Sequence, residues 1–274
     1  MLFRNRKFLI GLVIMGGLTA AALAGNTFTD PVLRRTGSFL PKLPPAPGWP
    51  FGTDALGRSI AIQMSEAILK SLLIGLIAAT LGTFLGAVIG FAAGYFGGII
   101  DAILRMLIDV FLAVPSLLFL ILIASLVKGV DVVAMAVIIG LFAWASPARQ
   151  VRAQVLSLKE RPFVELARLS GQSGLEIIFR ELMPNMLQWL GANFVNAFIA
   201  AILAEAGLSL LGLGPQRDMT LGMMTYWALS YGAILQNLWW WWLAPVLGLI
   251  CLFLALYLLH LGLDEVSNPR LAGR

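Results

Sequence analysis

Long apolar runs, rather than alternating or one-sided patterns, dominate the chain. They fall at residues 8–24, 67–93, 102–127, 132–146, 186–211 and 238–261. Most exceed the length at which a helix can cross the hydrocarbon core of a bilayer, and they carry few charges. Strands of a membrane barrel would read as alternating segments of about ten residues instead. The six runs therefore predict six transmembrane helices. The fourth is short and is expected to continue through Pro147 at its lower end. The expected fold class is an all-α membrane protein.

Composition narrows this further. The chain is 59% hydrophobic and 12% charged, about half the ~25% charge of a soluble domain. A soluble enzyme, a disordered chain and a disulfide scaffold are excluded. The single cysteine, Cys251, allows no internal disulfide. The net charge of +5 is not gathered into a block that could track phosphates, so nucleic acid is not an expected partner. It is better read as topology. With the amino terminus inside, twelve of the 19 Lys and Arg residues lie on the cytoplasmic side and seven, Lys70 and Lys128 among them, lie outside. Both termini are expected in the cytoplasm. The first run, preceded by Arg4, Arg6 and Lys7 and closed by Ala22, Leu23 and Ala24, also resembles a signal peptide. It is expected to be retained as the first span, and the orientation is the same either way.

The segments between runs are uneven. Residues 25–66 contain Pro41, Pro44, Pro45, Pro47 and Pro50, which favour an extended external path. The chain thus divides into residues 1–66, a first helix with its external segment, and a five-helix core at 67–274. In residues 212–237, Leu221, Met224, Trp227, Ala228, Tyr231, Ile234 and Leu235 recur at roughly helical spacing, predicting a short helix lying on the outer surface or capping a pathway. Four tryptophans, 239–242, open the last run as an interfacial belt or a substrate contact. Gly82, Gly86, Gly90 and Gly94 repeat every fourth residue, a bare stripe for close packing against another helix, in the chain or in a partner.

No enzyme site assembles from these residues. One histidine, His260, and one cysteine cannot make a zinc site, and no metal ligation is expected. None of the lysines completes a phosphate-binding loop, so no ATP hydrolysis and no cofactor are expected in this chain. Two acids lie within spans, Asp109 and Glu205. Either is a structural contact or an ion-coupling group. Asn193 and Asn196, with Glu205, could line a pathway.

The largest inside loop, residues 149–185, reads as two short helices around a break. Pro162 suits a first helical position, Gly171 ends that helix and Ser173 can cap the next. The second carries Leu175, Ile178, Phe179 and Leu182 on one face, and Pro184 is expected to stop it before the fifth span. Two helices held under the bilayer form a plate on which a cytoplasmic partner can dock.

Here a resemblance becomes specific. Glu165, Leu166, Ala167, Gly171, Phe179, Arg180, Pro184 and Asn185 resemble the EAA loop of ABC importer permeases, with Leu166 in place of its first alanine and Met183 in place of its usual leucine. FGTDALGR at 51–58, AGYFGG at 93–98, VLSLKE at 155–160, ILAEAGLSLLGLG at 202–214 and NPRL at 268–271 resemble the second permease subunit of the dipeptide/oligopeptide/nickel transporter family. After Gly214 the chain is shorter than that family and lacks its tryptophan. The resemblance implies a type I importer permease fold in a bacterial or archaeal inner membrane. It implies a second homologous permease, two ATPase subunits that bind ATP and Mg, and an external substrate-binding protein. Pro162, Glu165, Leu166, Ala167, Gly171, Phe179 and Pro184 then become ATPase-coupling residues, and the substrate a short peptide, an oligosaccharide or nickel. The rivals are a stand-alone ion-coupled transporter or channel using Asp109 and Glu205, and a membrane scaffold.

Overall fold

The computed structural model describes residues 5–47, 49–127 and 129–267. Lys128 and the closing 268–271 motif lie outside them. Helices α1 (Arg6–Phe28), α2 (Ile60–Phe96), α3 (Gly98–Ala113), α4 (Ser116–Leu126), α5 (Val132–Phe142) and α6 (Ala145–Leu158) come first. The short α7 (Pro162–Leu169) and α8 (Gly174–Glu176) follow, then α9 (Met183–Leu210), α10 (Leu221–Ser230) and α11 (Trp239–Ser267). Among the described residues, four uninterrupted helical runs are long and apolar enough to span a membrane. The pairs α3 with α4 and α5 with α6 supply the remaining two as broken spans, bent by 77° and 42°.

Proline places both breaks. Pro115 offers no N–H to the helix and its ring collides with the carbonyl four residues back. It also drives Val114 into an extended conformation, φ −96° and ψ 131°. Pro147 acts likewise on the carbonyl of Ala143, so the fourth run turns just above it and α6 then continues to Leu158.

Helix α2 begins at Ile60, seven residues before the apolar run suggests. Ser59, Gln63 and Glu66 break the hydropathy but not the helix, because Gln63 donates to Asp54 Oδ2 at 3.1 Å and Glu66 pairs with Lys70. The external segment is correspondingly shorter.

The glycine stripe packs inside the chain. A Cβ at Gly82 would stand 3.0 Å from Ala143 Cβ, at Gly86 2.6 Å from Pro147 Cβ, at Gly90 2.6 Å from Val151 Cβ and at Gly94 2.8 Å from Val155 Cβ. The four-residue steps of α2 thus match four-residue steps along α6, which closes the choice between an internal and a partner contact. Helix α1 crosses α11 just as closely, through Gly11 against Ala255 and Gly262 against Phe8. Asn5 donates to Glu265 Oε2 at 2.7 Å and Lys7 pairs with the same carboxylate. The two ends of the described chain therefore lie on one side of the bundle.

Two expectations change. Helix α10 does not lie on the surface; Leu221, Met223, Met224 and Ala228 are buried against α2, α9 and α11. It ends at Ser230, leaving Ile234 and Leu235 exposed. The tryptophans do not form a uniform belt either. Trp241 is buried in the core, Trp240 Nε1 donates to the carbonyl of Thr53 at 3.3 Å, and Trp239 is exposed.

The orientation has a direct test. In a chain with Cys251 replaced, a cysteine at Ser38 reacts with a membrane-impermeant thiol reagent applied from outside, and one at Ser173 does not. The reverse labelling would overturn the orientation read from the charge distribution.

Candidate functional site

Both helix breaks open onto one cavity of about 300 Å³. Phe111, Val114, Pro115 and Ser116 line it from the first break, Phe142, Ala143, Ser146, Pro147 and Gln150 from the second. Asn193, Asn196 and the alanines at 197, 200, 201 and 204 close it from α9. Irregular backbone at membrane depth is tolerated where it lines a cavity, since water or a ligand can then satisfy it. Among the described residues, the lining holds hydroxyls and carboxamides but no ionisable side chain.

Of the three residues expected on a pathway, Asn193 and Asn196 reach this cavity and Glu205 does not. Ala201 and Ala204 present their side of α9 to the cavity, and Glu205 projects instead against α10. There it is wholly buried, its Oε1 accepting from Ser209 Oγ and Thr220 Oγ1, both at 2.6 Å. Thr220 in turn caps α10. Asp109 is not a lone intramembrane acid either. It is half-exposed and meets Arg149 Nη2 at 2.7 Å and Arg105 Nε at 3.7 Å. His260 contacts the carbonyl of Ala192 at 3.0 Å.

The cytoplasmic plate is built as follows. Pro162 occupies the first turn of α7 after an extended Arg161. Val164 and Ala167 turn inward onto Phe91, Val151, Val155 and Ile178. The helix closes in a Schellman motif, with Gly171 N–H bonding Arg168 O at 3.0 Å and Gln172 N–H bonding Ala167 O at 3.2 Å. Gly171 carries the left-handed backbone this needs, φ +79°. Ser173 and Glu176 form a reciprocal capping box on α8. Tyr95 anchors the plate from α2, lying under Gly174 and 5.8 Å from the Arg168 guanidinium.

Pro184 does not stop the second helix. Residues Ile177–Leu182 widen into a π turn in which Met183 N–H reaches back to Ile178 O, and the chain runs on without a break from Gly174 to Leu210. The wider turn accommodates a proline that lacks a donor. It also splits the expected apolar face. Ile178 and Leu182 turn inward, whereas Leu175 and Phe179 are each 60% exposed. With Leu166 at 66% and Leu169 at 81% exposed, they form an apolar patch on the cytoplasmic end, and Glu165 is exposed beside it.

On the outer side the 51–58 motif proves to be a folded knot. Asp54 is fully buried and accepts from Leu56 N, Arg58 N and Arg58 Nε at 2.8, 2.9 and 2.7 Å. Thr53 Oγ1 donates to Leu40 O at 2.7 Å, and Gly52 and Gly57 take positive φ where the chain folds back. Replacing Asp54 by Ala strands a largely buried guanidinium, at a cost of about 3 kcal/mol. The expected result is faster proteolysis of the external segment from the outside, with the membrane helices intact; an unchanged cleavage rate would contradict the structural role.

Residues 82–273 match the family described as binding-protein-dependent transport system inner membrane component. The chain belongs to that family. Among relatives of this inner membrane component, a putative peptide permease of Brucella suis is 33% identical over 97% of this chain and 88% of its own. A putative peptide transport system permease of Brucella abortus is 36% identical over 98% and 90%. The oligopeptide transport system permease OppC of Mycobacterium bovis is 32% identical over 66% and 63%. In fold, the inner membrane component is similar to a chain of the MetNI methionine ABC transporter solved in inward-facing conformations. That similarity has a TM-score of 0.57, with 18% identity, over 77% of this chain and 97% of that one.

The sequence did not single out Ser116, Ser146, Gln150 and Phe111 for the cavity, or Tyr95 for the plate. A signal existed for the first group. Apolar segments interrupted by proline are the pointers to a binding site in membrane transporters, and Pro115 and Pro147 supply them.

Proposed function

We propose that this inner membrane component is one half of the translocation pathway of an ATP-driven importer of short peptides in a bacterial inner membrane. A second homologous permease supplies the other half. Two ATPase subunits, which bind the ATP and Mg, dock beneath it, and an external binding protein delivers the substrate. The observation that carries this reading is the apolar patch of Leu166, Leu169, Leu175 and Phe179 on a plate locked to α2, α6 and α9. Four exposed large side chains at the cytoplasmic end fit a partner's groove better than water. Glu165 beside them is placed to accept charge-assisted hydrogen bonds from that partner. A pull on α7 passes through Val151 and Val155 into α6, and so to the second break and the cavity wall. That is the alternation of access expected of paired rigid elements.

For the substrate, the lining favours a peptide backbone. Carboxamides and hydroxyls match its donors and acceptors, while a nickel ion calls for imidazole, thiolate or carboxylate ligands. Among the described residues no group of three such side chains is suited to a metal. The relatives named as peptide permeases support the same choice. An ion-coupled transporter has little support, since Asp109 is paired and Glu205 is sealed away from the cavity.

The test is reconstitution of the chain with its partner permease, ATPases and binding protein in vesicles. ATP-dependent accumulation of di- to hexapeptides is the expected result. Accumulation by this chain alone, driven by an ion gradient, would overturn the proposal.

A further inference from the structure

Helices α3 and α6 both line the cavity, and these two walls are held very differently. Helix α6 is clamped to α2 along the glycine stripe from Gly86 to Gly94. Helix α3 buries only Ile108 and ends at the 77° break. Beside one aromatic contact, Phe111 with Trp144 at the head of α6, what ties α3 to α6 is polar. Near the cytoplasmic end, Arg152 Nη2 meets Asp101 Oδ2 at 2.7 Å, with both side chains about one-fifth exposed. One step nearer the cavity, Arg149 Nη2 meets Asp109 Oδ1 at 2.7 Å, and both side chains are half-exposed. Asp109 precedes Phe111 and Leu112, and Arg149 sits between Pro147 and Gln150, all four of which line the cavity. A second cleft, lined by Arg105, Ile108, Asp109, Arg149 and Arg152, opens below. The pair therefore bridges the two walls between the cavity and the cytoplasmic cleft.

We propose that the Asp109–Arg149 ion pair is a latch that holds α3 against α6 across the cytoplasmic mouth of the cavity and opens during each transport cycle. A half-exposed ion pair that opens onto a cleft is weaker than a sealed one and can break and re-form at every turnover. The less exposed Asp101–Arg152 pair remains as the pivot, and the bend at Pro115 lets α3 swing without carrying α4 along. The latch accounts for an acid and a base facing each other inside a span, which the neutral cavity does not require.

The inference rests on the importer function proposed above, and the experiment separates the two. In the reconstituted assembly, Asp109→Asn and Arg149→Gln each remove the one ion pair of Asp109 that crosses from α3 to α6. Freed from the latch, the resting conformation loses population. ATP hydrolysis without binding protein then rises by about two- to fivefold in both variants, the range expected of an exposed pair. Peptide accumulated per ATP falls in both. The double exchange Asp109→Arg with Arg149→Asp restores the wild-type values, which a general packing role would not do. Wild-type basal hydrolysis and coupling in both single variants would overturn the latch, and so would a double exchange no better than the singles. A wild-type assembly without ATP-driven uptake would overturn the importer reading itself, and the latch with it.

Discussion

Gly171→Leu and Glu165→Lys are each expected to abolish ATP-driven uptake while the protein still inserts and assembles with its partner permease. Neither residue lies in a span, and both are exposed. The two substitutions act by different physics. Gly171 has φ +79° at the close of the Schellman motif, where an ordinary side chain costs about 1–2 kcal/mol. Within this chain a Cβ there meets nothing within 4 Å, so any steric obstruction comes from the docked partner. Glu165→Lys leaves the backbone untouched and reverses the charge presented to that partner. Gly171→Asn separates the two causes, because asparagine tolerates the left-handed conformation. Retained uptake in Gly171→Asn assigns the loss to backbone conformation; lost uptake assigns it to bulk at the docked surface. Normal uptake and normal substrate-stimulated hydrolysis in both Gly171→Leu and Glu165→Lys, at wild-type expression, would remove the coupling role from α7.

The second large effect is in the membrane. Gly86→Leu and Gly90→Leu should prevent recovery of a folded, assembled protein. The first new Cβ at Gly86 already falls 2.8 Å from Trp144 O, and at Gly90 2.7 Å from Ala148 O. Those are backbone atoms and cannot rotate away. Overpacking of a core by extra methylenes costs ~1–3 kcal/mol when side chains can yield; here α2 and α6 must separate along the seam. Because Ser146, Pro147 and Gln150 ride on α6, separation also dismantles the cavity. Gly16→Leu is the control, since a Cβ at Gly16 has nothing within 4 Å. Size-exclusion profiles and melting curves of the detergent-solubilised complex read the difference. Profiles for Gly86→Leu that match those for Gly16→Leu would contradict the seam.

Much of the fold was legible because the bilayer leaves so few solutions. An apolar run of sufficient length must be a helix, since only a helix satisfies its own backbone without water. The cytoplasmic helices were legible from local punctuation, Pro162 at the start of one, Gly171 at its end and Ser173 at the start of the next. Where the reading failed, hydropathy alone had missed a polar pairing or a change in the helix backbone. Gln63 and Glu66 looked like loop residues until Asp54 and Lys70 were brought beside them. Pro184 looked like a terminator because nothing local announces a π turn. Leu175 and Ile178 looked alike until that turn sent one outward and the other into the core.

The class, the number of spans, the packing face of α2 and the family were all readable before folding, since each follows from composition, local periodicity or a motif a few residues long. What the polar residues within the spans do emerged only once the helices were packed. Packing turned Asn193 toward the cavity and Glu205 away from it, set Arg149 against Asp109, and matched the glycine stripe to α6 rather than to another subunit. The difference is one of range. Backbone satisfaction in lipid is settled within a single helix, but the role of a carboxylate or a carboxamide depends on which helix faces it, and that is fixed only when all the spans pack together.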